Sequence, residues 1–301
     1  MISATERIPI LVIVGPTAVG KTAFSIALAK ASNAEIVSAD SRYFYRGMTI
    51  GTAKPTLGEM DGVRHHLIDV SDPDERWSLA RFQREAGAAI RDIAGRGKNV
   101  IVVGGTGQYV RALLEGWVPP ELNADEKLRS VLERYGKEIG AKALHEKLAI
   151  LDPAAAARIE YQNMRRTIRA LEVAFSTGRR FSDQRRQVES PYRATILGLI
   201  RDRAELYARI DRRIDRMIRD GFLDEVRGLL NQGYSPSLPS LSAIGYPQLA
   251  AVIDGTATLE DAVLSIRKAT RTYVRRQANW FKLTDPAIHW LHLSEGSADH
   301  V

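Results

Sequence analysis

The sequence predicts an α/β protein: a doubly wound parallel sheet interrupted by a helical insertion. Three observations carry this. Apolar runs rich in β-branched residues alternate with amphipathic helical patterns. Between Pro119 and Ser190 the strand signals stop. The 301 residues are 45% hydrophobic, enough for one sizeable core and a smaller second unit.

Ile8 to Val14 is a continuous apolar run, as expected of a strand buried on both faces of a parallel sheet. Further strands are expected at Ala34 to Ser38, His66 to Val70, Asn99 to Val103 and Ala194 to Ile200, with helices at Lys21 to Ala31 and Leu79 to Ala94. Such alternation implies right-handed crossovers. Pro119 and Pro120 open the insertion and Pro191 follows its end. Inside it Leu128, Val131, Leu132 and Tyr135, then Ile168, Leu171, Val173 and Phe175, mark apolar helix faces. From Leu206 the chain is helical again, with Leu206, Ile210, Ile214, Met217 and Ile218 on one stripe. The expected division is 1–118 and 191–301 for the core and its C-terminal basic helices, and 119–190 for the insertion.

With no cysteine, disulfides, thiolate metal sites and cysteine nucleophiles are excluded. The N-terminal apolar run enters a glycine-rich turn without a small-residue cleavage site, and no stretch approaches the roughly 20 apolar residues that span a bilayer. A soluble cytoplasmic protein without membrane association is expected. Lysine plus arginine outnumber aspartate plus glutamate by 43 to 36. That excess suits either a polyanionic partner or an ordinary basic enzyme.

Gly15-Pro16-Thr17-Ala18-Val19-Gly20-Lys21-Thr22 fits G-x-x-x-x-G-K-[ST] and lies between a strand and a helix, the context a phosphate-binding P-loop requires. The glycines let backbone amides converge on phosphate oxygens at a helix N-terminus. Lys21 supplies a cation and the Thr22 hydroxyl a magnesium ligand. Such a loop binds a di- or triphosphate without fixing which group is transferred. Asp40 ends the second strand, at the sheet edge where ligands bind. It can hold magnesium, act as a general base, or cap a turn.

Gly104-Gly105-Thr106-Gly107 follows another strand and by itself reads as a tight turn. His65 and His66 point to opposite faces of a strand, which favours structural roles. Arg267, Arg271 and Arg275 recur at helical spacing beside Lys268 and Arg276, with Tyr273, Trp280 and Phe281 interleaved. Arg165, Arg166 and Arg169 form a second basic cluster.

Seven stretches in order resemble the tRNA dimethylallyltransferase family: GPTAVGKT (15–22), SADSRYFYRGMTIGTAKP (38–55), RHHLIDV with its downstream DP (64–73), VVGGTGQYVRALLEG (102–116), RALEV (169–173), SAIGYPQL (242–249) and TRTYVRRQANWF (270–281). The resemblance covers most of the chain. It implies a P-loop core, magnesium, dimethylallyl diphosphate and a tRNA acceptor bound through its anticodon loop, with the insertion facing the tRNA. It assigns the diphosphate to residues 15 to 22 and Arg213, and base catalysis to Asp40. It makes Asp40, Ser41, Arg42, Tyr43 and Thr106 tRNA contacts, and gives a nucleic-acid role to Arg165, Arg166, Arg169, Arg271 and Arg275. A monomer is expected. Tyr43 stands where glutamine is common in the family, Gln108 where leucine is, Val19 where a small polar residue is, and Arg165 where glutamine is. The alternatives are a transferase acting on free adenylate, a P-loop nucleotide or metabolite kinase, and an RNA-binding protein with a relic P-loop.

Overall fold

The computed structural model describes residues 7–120, 125–184 and 186–294. The chain divides into two compact units, one formed by Met1–Leu114 with Ser190–Val301 and the other by Glu115–Glu189.

The larger unit begins with β1 (Ile8–Val14), α1 (Lys21–Ala31), β2 (Ala34–Ser38), α2 (Leu57–Met60), β3 (His65–His66), α3 (Leu79–Gly95), β4 (Asn99–Val103) and α4 (Gly107–Leu114). The smaller unit holds β5 (Trp117–Val118), α5 (Glu126–Leu151), α6 (Pro153–Ala156), α7 (Met164–Thr177) and β6 (Arg186–Gln187). The larger unit then resumes with β7 (Tyr192–Ile200), α8 (Arg203–Arg219), α9 (Phe222–Asn231), α10 (Tyr246–Ile253), α11 (Leu259–Ala278) and β8 (Ile288–His292).

Six strands form one parallel sheet in the order β3-β2-β4-β1-β7-β8. β1 lies between β4 and β7, which explains its unbroken apolar sequence: both faces are covered. Ile10, Val12 and Val14 pack on one side with Phe82 and Ile90 of α3 and Val110 of α4. Ile13 packs on the other with Ile26 of α1, Leu206, Ile210 and Ile214 of α8, and Ile266 of α11. The apolar stripe expected on α8 is therefore the face it buries. The C-terminal ends of β2, β4 and β1 lie side by side, so the loops at Asp40, Gly104 and Gly15 emerge along one edge of the sheet.

Several expectations are corrected. The strand expected from His66 to Val70 is only His65–His66, because Leu67 and Asp69 take positive φ of 63° and 53° and cannot continue a ladder. The buried Lys54 ammonium fixes that bend by donating to Asp69 Oδ1 at 2.5 Å and to the Tyr45 carbonyl at 2.7 Å. β7 starts at Tyr192 instead of Ala194, paired with Ile8. A sixth strand, β8, was not expected. It adds to β7 from Ile196↔Ile288 to Ile200↔His292, at the sheet margin.

The smaller unit is not wholly helical: Trp117 pairs with Gln187 and Val118 with Arg186 in an antiparallel ribbon. Nor do all the expected apolar positions face its core. Val131, Tyr135 and Phe175 are exposed, and the core is Leu132, Leu144, Leu148, Ile168 and Leu171. α5 breaks at Gly140, φ 84°, so the turns after the break present Leu144 and Leu148 inward.

Candidate active site

Gly15 has φ 147°, and a Cβ there would lie 2.6 Å from the Leu199 carbonyl oxygen, so only glycine fits the start of the P-loop. Ala18 and Gly20 also have positive φ, and α1 starts at Lys21. Three side chains from later in the chain grip the loop by its backbone. Arg201 Nε donates to the Val19 carbonyl at 2.8 Å and Arg209 Nε to the Ala18 carbonyl at 3.1 Å. The Thr17 amide donates to Gln277 Oε1 at 2.9 Å. These contacts hold the loop's backbone from outside it.

Lys21 Nζ donates to the carbonyls of Gly15 and Pro16 at 3.0 and 2.8 Å. Burial pulls its pKa down to about 8, with Asp40 opposing the shift and Arg213 adding to it. Lys21, Asp40 and Arg213 therefore share one electrostatic environment, although they come from α1, the β2 edge and α8. Burial pushes the Asp40 carboxyl up, opposed by the Arg42 amide that Asp40 Oδ1 accepts at 2.9 Å and by the Lys21 charge. Burial also pulls Arg213 down from its ordinary value. The site concentrates one anion and two cations in a poorly solvated place, an arrangement typical of catalytic clusters.

The segment after Asp40 is held at many points. The Ser41 amide donates to Thr106 Oγ1 at 3.2 Å, which joins two residues expected to meet tRNA. The Arg42 guanidinium donates to the carbonyls of Pro239 and Ser240 and to Ser242 Oγ. The Tyr43 hydroxyl donates to the Ala53 carbonyl at 2.8 Å, and burial followed by the Asp40 charge raises its pKa. Glu225 accepts the amides of Thr49, Ile50 and Gly51 and the Tyr246 hydroxyl.

Of the basic residues on α11, Arg271 donates to Asp211 Oδ2 of α8 at 2.6 Å and sits over the Tyr207 ring, while Arg267 donates to Asp215. These two dock α11 on α8. Arg275 is exposed. In the smaller unit Arg165 and Arg166 are exposed at the start of α7, and Arg169 pairs with the buried Glu172, which also holds Arg129. His66 pairs with Glu35 and His65 Nδ1 lies 2.9 Å from the Val63 carbonyl.

Sequence reasoning assigned no role to Gln277, Arg201 or Arg209, and named Tyr273 only among the aromatics interleaved with the basic residues of α11. Tyr273 and Gln277 lie one helical turn apart on α11, and burial with the Asp40 charge raises the Tyr273 pKa. Their i, i+4 spacing, which puts both side chains on one face of α11, is the sequence signal that pairs them.

Among the described residues no group of three or more His, Cys, Asp or Glu is placed to hold a metal ion. Thr22, half-buried in the first turn of α1 beside Lys21, offers one hydroxyl. That donor set suits magnesium, which takes one or two protein ligands and fills its other positions with phosphate and water oxygens.

The family model described as IPP transferase matches residues 43–284, and that described as isopentenyl transferase matches residues 8–75. The chain belongs to the IPP transferase family. It is 54% identical over 275 residues to a tRNA dimethylallyltransferase of Roseiflexus castenholzii, covering 91% of this chain and 90% of that protein. To the same enzyme of Geobacter sulfurreducens it is 44% identical, covering 96% and 93%. The solved tRNA isopentenylpyrophosphate transferase of Bacillus halodurans matches with a TM-score of 0.70 at 44% identity, over 94% of this chain and 89% of that one. A eukaryotic dimethylallyltransferase acting on tRNA matches with a TM-score of 0.79 at 29% identity, over 96% and 74%. These two solved structures thus share this fold over nearly the whole chain. Among the described residues no helix is long and apolar enough to cross a membrane.

Proposed function

We propose that the chain is a tRNA-modifying prenyltransferase that moves a dimethylallyl group from dimethylallyl diphosphate to the exocyclic amine of the adenosine 3′-adjacent to the tRNA anticodon. The observation that carries this reading is the convergence of Asp40 with Lys21 and Arg213 beside a P-loop, within a family whose named members act on tRNA.

The P-loop amides, Lys21 and Arg213 bind the diphosphate. As the allylic carbon–oxygen bond breaks, negative charge grows on the leaving group, and these positive groups stabilise it more than they stabilise the ground state. Magnesium, held by Thr22 and the diphosphate, would add Lewis-acid stabilisation of that same charge. Adenine's exocyclic amine is a weak nucleophile because its lone pair is delocalised into the ring. Asp40 accepts its proton as the new carbon–nitrogen bond forms. Ser41, Arg42, Tyr43 and Thr106 line the acceptor side. Arg165, Arg166, Arg169, Arg271 and Arg275 contribute positive charge toward the RNA backbone and its unstacked loop bases.

The test is to incubate the protein with dimethylallyl diphosphate, magnesium and tRNA and analyse the digested nucleosides by mass spectrometry. Prenylated adenosine from tRNA is expected, with none from free adenylate. Efficient prenylation of adenylate, or phosphoryl transfer from ATP with no prenyl transfer, would replace this reading with one of its competitors.

A further inference from the structure

The P-loop leaves β1 and the glycine cluster leaves β4, neighbouring strands, and one side chain of α11 lies between the two loops. Gln277 is only 5% exposed although it is polar. Its Oε1 accepts the Thr17 amide at 2.9 Å and its Nε2 donates to the Gly105 carbonyl at 3.1 Å. The two partners also fix which way the amide points, since one is a donor and the other an acceptor. A Cβ at residue 105 would lie 2.2 Å from Nε2, so glycine is what lets this side chain reach the loop.

The connection continues toward the chemistry. Thr106 follows Gly105, its Oγ1 accepts the Ser41 amide at 3.2 Å, and Ser41 follows Asp40. One unbroken chain of covalent and hydrogen bonds therefore runs from the diphosphate loop through Gln277 to the carboxylate's own segment. The amide pairs two backbone groups, the Thr17 N–H and the Gly105 carbonyl, that an apolar side chain of the same length would leave unpaired, so it ties the two loops together by polar contact and not by packing alone.

We propose that Gln277 is a positioning residue that sets the spacing between the donor loop and the acceptor side of the site. This inference rests on the prenyl-transfer reading above. In-line transfer needs the allylic carbon and the amine in near-attack geometry, and a displacement of about 1 Å can cost about 10²-fold in rate.

Two variants test it. Gln277→Met keeps the length and removes both hydrogen bonds, and Gln277→Glu keeps an acceptor for Thr17 but loses the donor to Gly105. With donor and tRNA saturating, single-turnover transfer should slow by about 10- to 100-fold in both, while in Gln277→Met, which adds no charge beside the loop, pyrophosphate affinity stays within about threefold of wild type. Amide exchange at Thr17 should quicken in Gln277→Met and stay slow in Gln277→Glu, a difference that a general packing defect does not produce. An unchanged single-turnover rate in Gln277→Met, with active wild type beside it, overturns the inference alone. A rate loss matched by an equal loss of pyrophosphate affinity would make Gln277 part of the diphosphate site, and loss of folded protein in both variants would make it a fold residue. Either result also overturns the positioning role. Wild type that leaves tRNA unmodified overturns the functional reading, and this inference with it.

Discussion

The Lys21 ammonium donates to the carbonyl of Pro16 at 2.8 Å, within the loop proposed to bind the diphosphate. Its pKa of about 8 lies well below the ordinary lysine value because burial disfavours the charge. A bound diphosphate favours the protonated form, so protonation and donor binding are linked. Lys21→Ala should weaken pyrophosphate binding by about 10- to 100-fold at pH 7, the loss expected for a charge-assisted contact. That advantage of wild type over Lys21→Ala should shrink as pH rises past 8, because wild type then loses the proton too. Pyrophosphate titrations of both proteins from pH 6.5 to about 9.5 check this. A constant affinity ratio across the range would remove the linkage.

Glu35, on β2, makes a structural prediction away from the chemistry. Its carboxylate is buried, accepts both Arg96 Nη1 and Nη2, and also holds Lys98 and His66. The Arg96 hydrogen bond, aided by Lys98 and His66 and opposed by burial, holds its pKa below the ordinary glutamate value of 4.5. The associated stability is therefore fully present above pH 4.5 and is lost as pH falls toward the lower folded value. Glu35→Gln should cost about 1–3 kcal/mol at pH 7, since it removes the buried negative charge that the partly exposed Arg96 and Lys98 and the largely buried His66 share. Urea unfolding of both proteins should show that difference narrowing below pH 4.5. A gap that does not change with pH would separate Glu35 from acid stability.

The parts of the molecule that were legible in advance are those whose chemistry is local in sequence. The P-loop is eight consecutive residues, and β1 announces its burial by its composition. β3 was read too long because the backbone at Leu67 and Asp69 is set by Lys54, well upstream. β8 escaped notice because it is a short marginal strand carrying two histidines and mostly unburied side chains. Gln277 was illegible for the deepest reason: its partner Thr17 is 260 residues away, and nothing on α11 signals that the sheet brings them together.

Salt should separate the two substrates. Arg165, Arg166 and Arg275 are exposed, and under the proposed function they displace counterions from RNA phosphates while the diphosphate binds among the half-buried groups of the P-loop. Affinity for tRNA should fall steeply between about 50 and 200 mM salt, and Arg165→Ala with Arg166→Ala should flatten the log–log slope by about 1 to 2. Filter binding across a salt series, with pyrophosphate as the control, reads both effects. Equal slopes in wild type and double variant would take these two arginines out of the interface.

Arg213 stands in a different position from the surface arginines. It shares the electrostatic environment of Lys21 and Tyr43 on α8, and burial lowers its pKa. A charge of this kind matters most when the leaving group gains charge, so Arg213→Ala should slow single-turnover transfer by about 10²- to 10³-fold. Pyrophosphate affinity should fall by a smaller factor, because the loop and Lys21 remain. Rapid-quench kinetics beside pyrophosphate titration make the comparison. A fall in affinity as large as the fall in rate would give Arg213 a binding role only.

Asp40 is where the general-base and magnesium-ligand roles diverge. Its carboxylate already accepts the Arg42 amide and is raised by burial, against the opposing charge of Lys21. A raised carboxyl is the better proton acceptor, while a metal ligand at this place would have its proton displaced by the ion. In the proposed function Thr22 and the diphosphate would supply oxygen ligands to magnesium without it. Asp40→Asn should therefore slow transfer by about 10²- to 10⁴-fold while donor and tRNA affinities hold, since the amide fills the same space and still meets the adenine. The wild-type single-turnover rate should fall as pH drops through the raised carboxyl value, because the base must be ionised, and Asp40→Asn should lack that limb. Single-turnover rates and donor affinity across a magnesium titration, for both proteins, decide between the roles. Weakened donor binding that extra magnesium rescues would assign Asp40 to the metal, and wild-type-like transfer by Asp40→Asn would leave it a structural cap on the β2 edge.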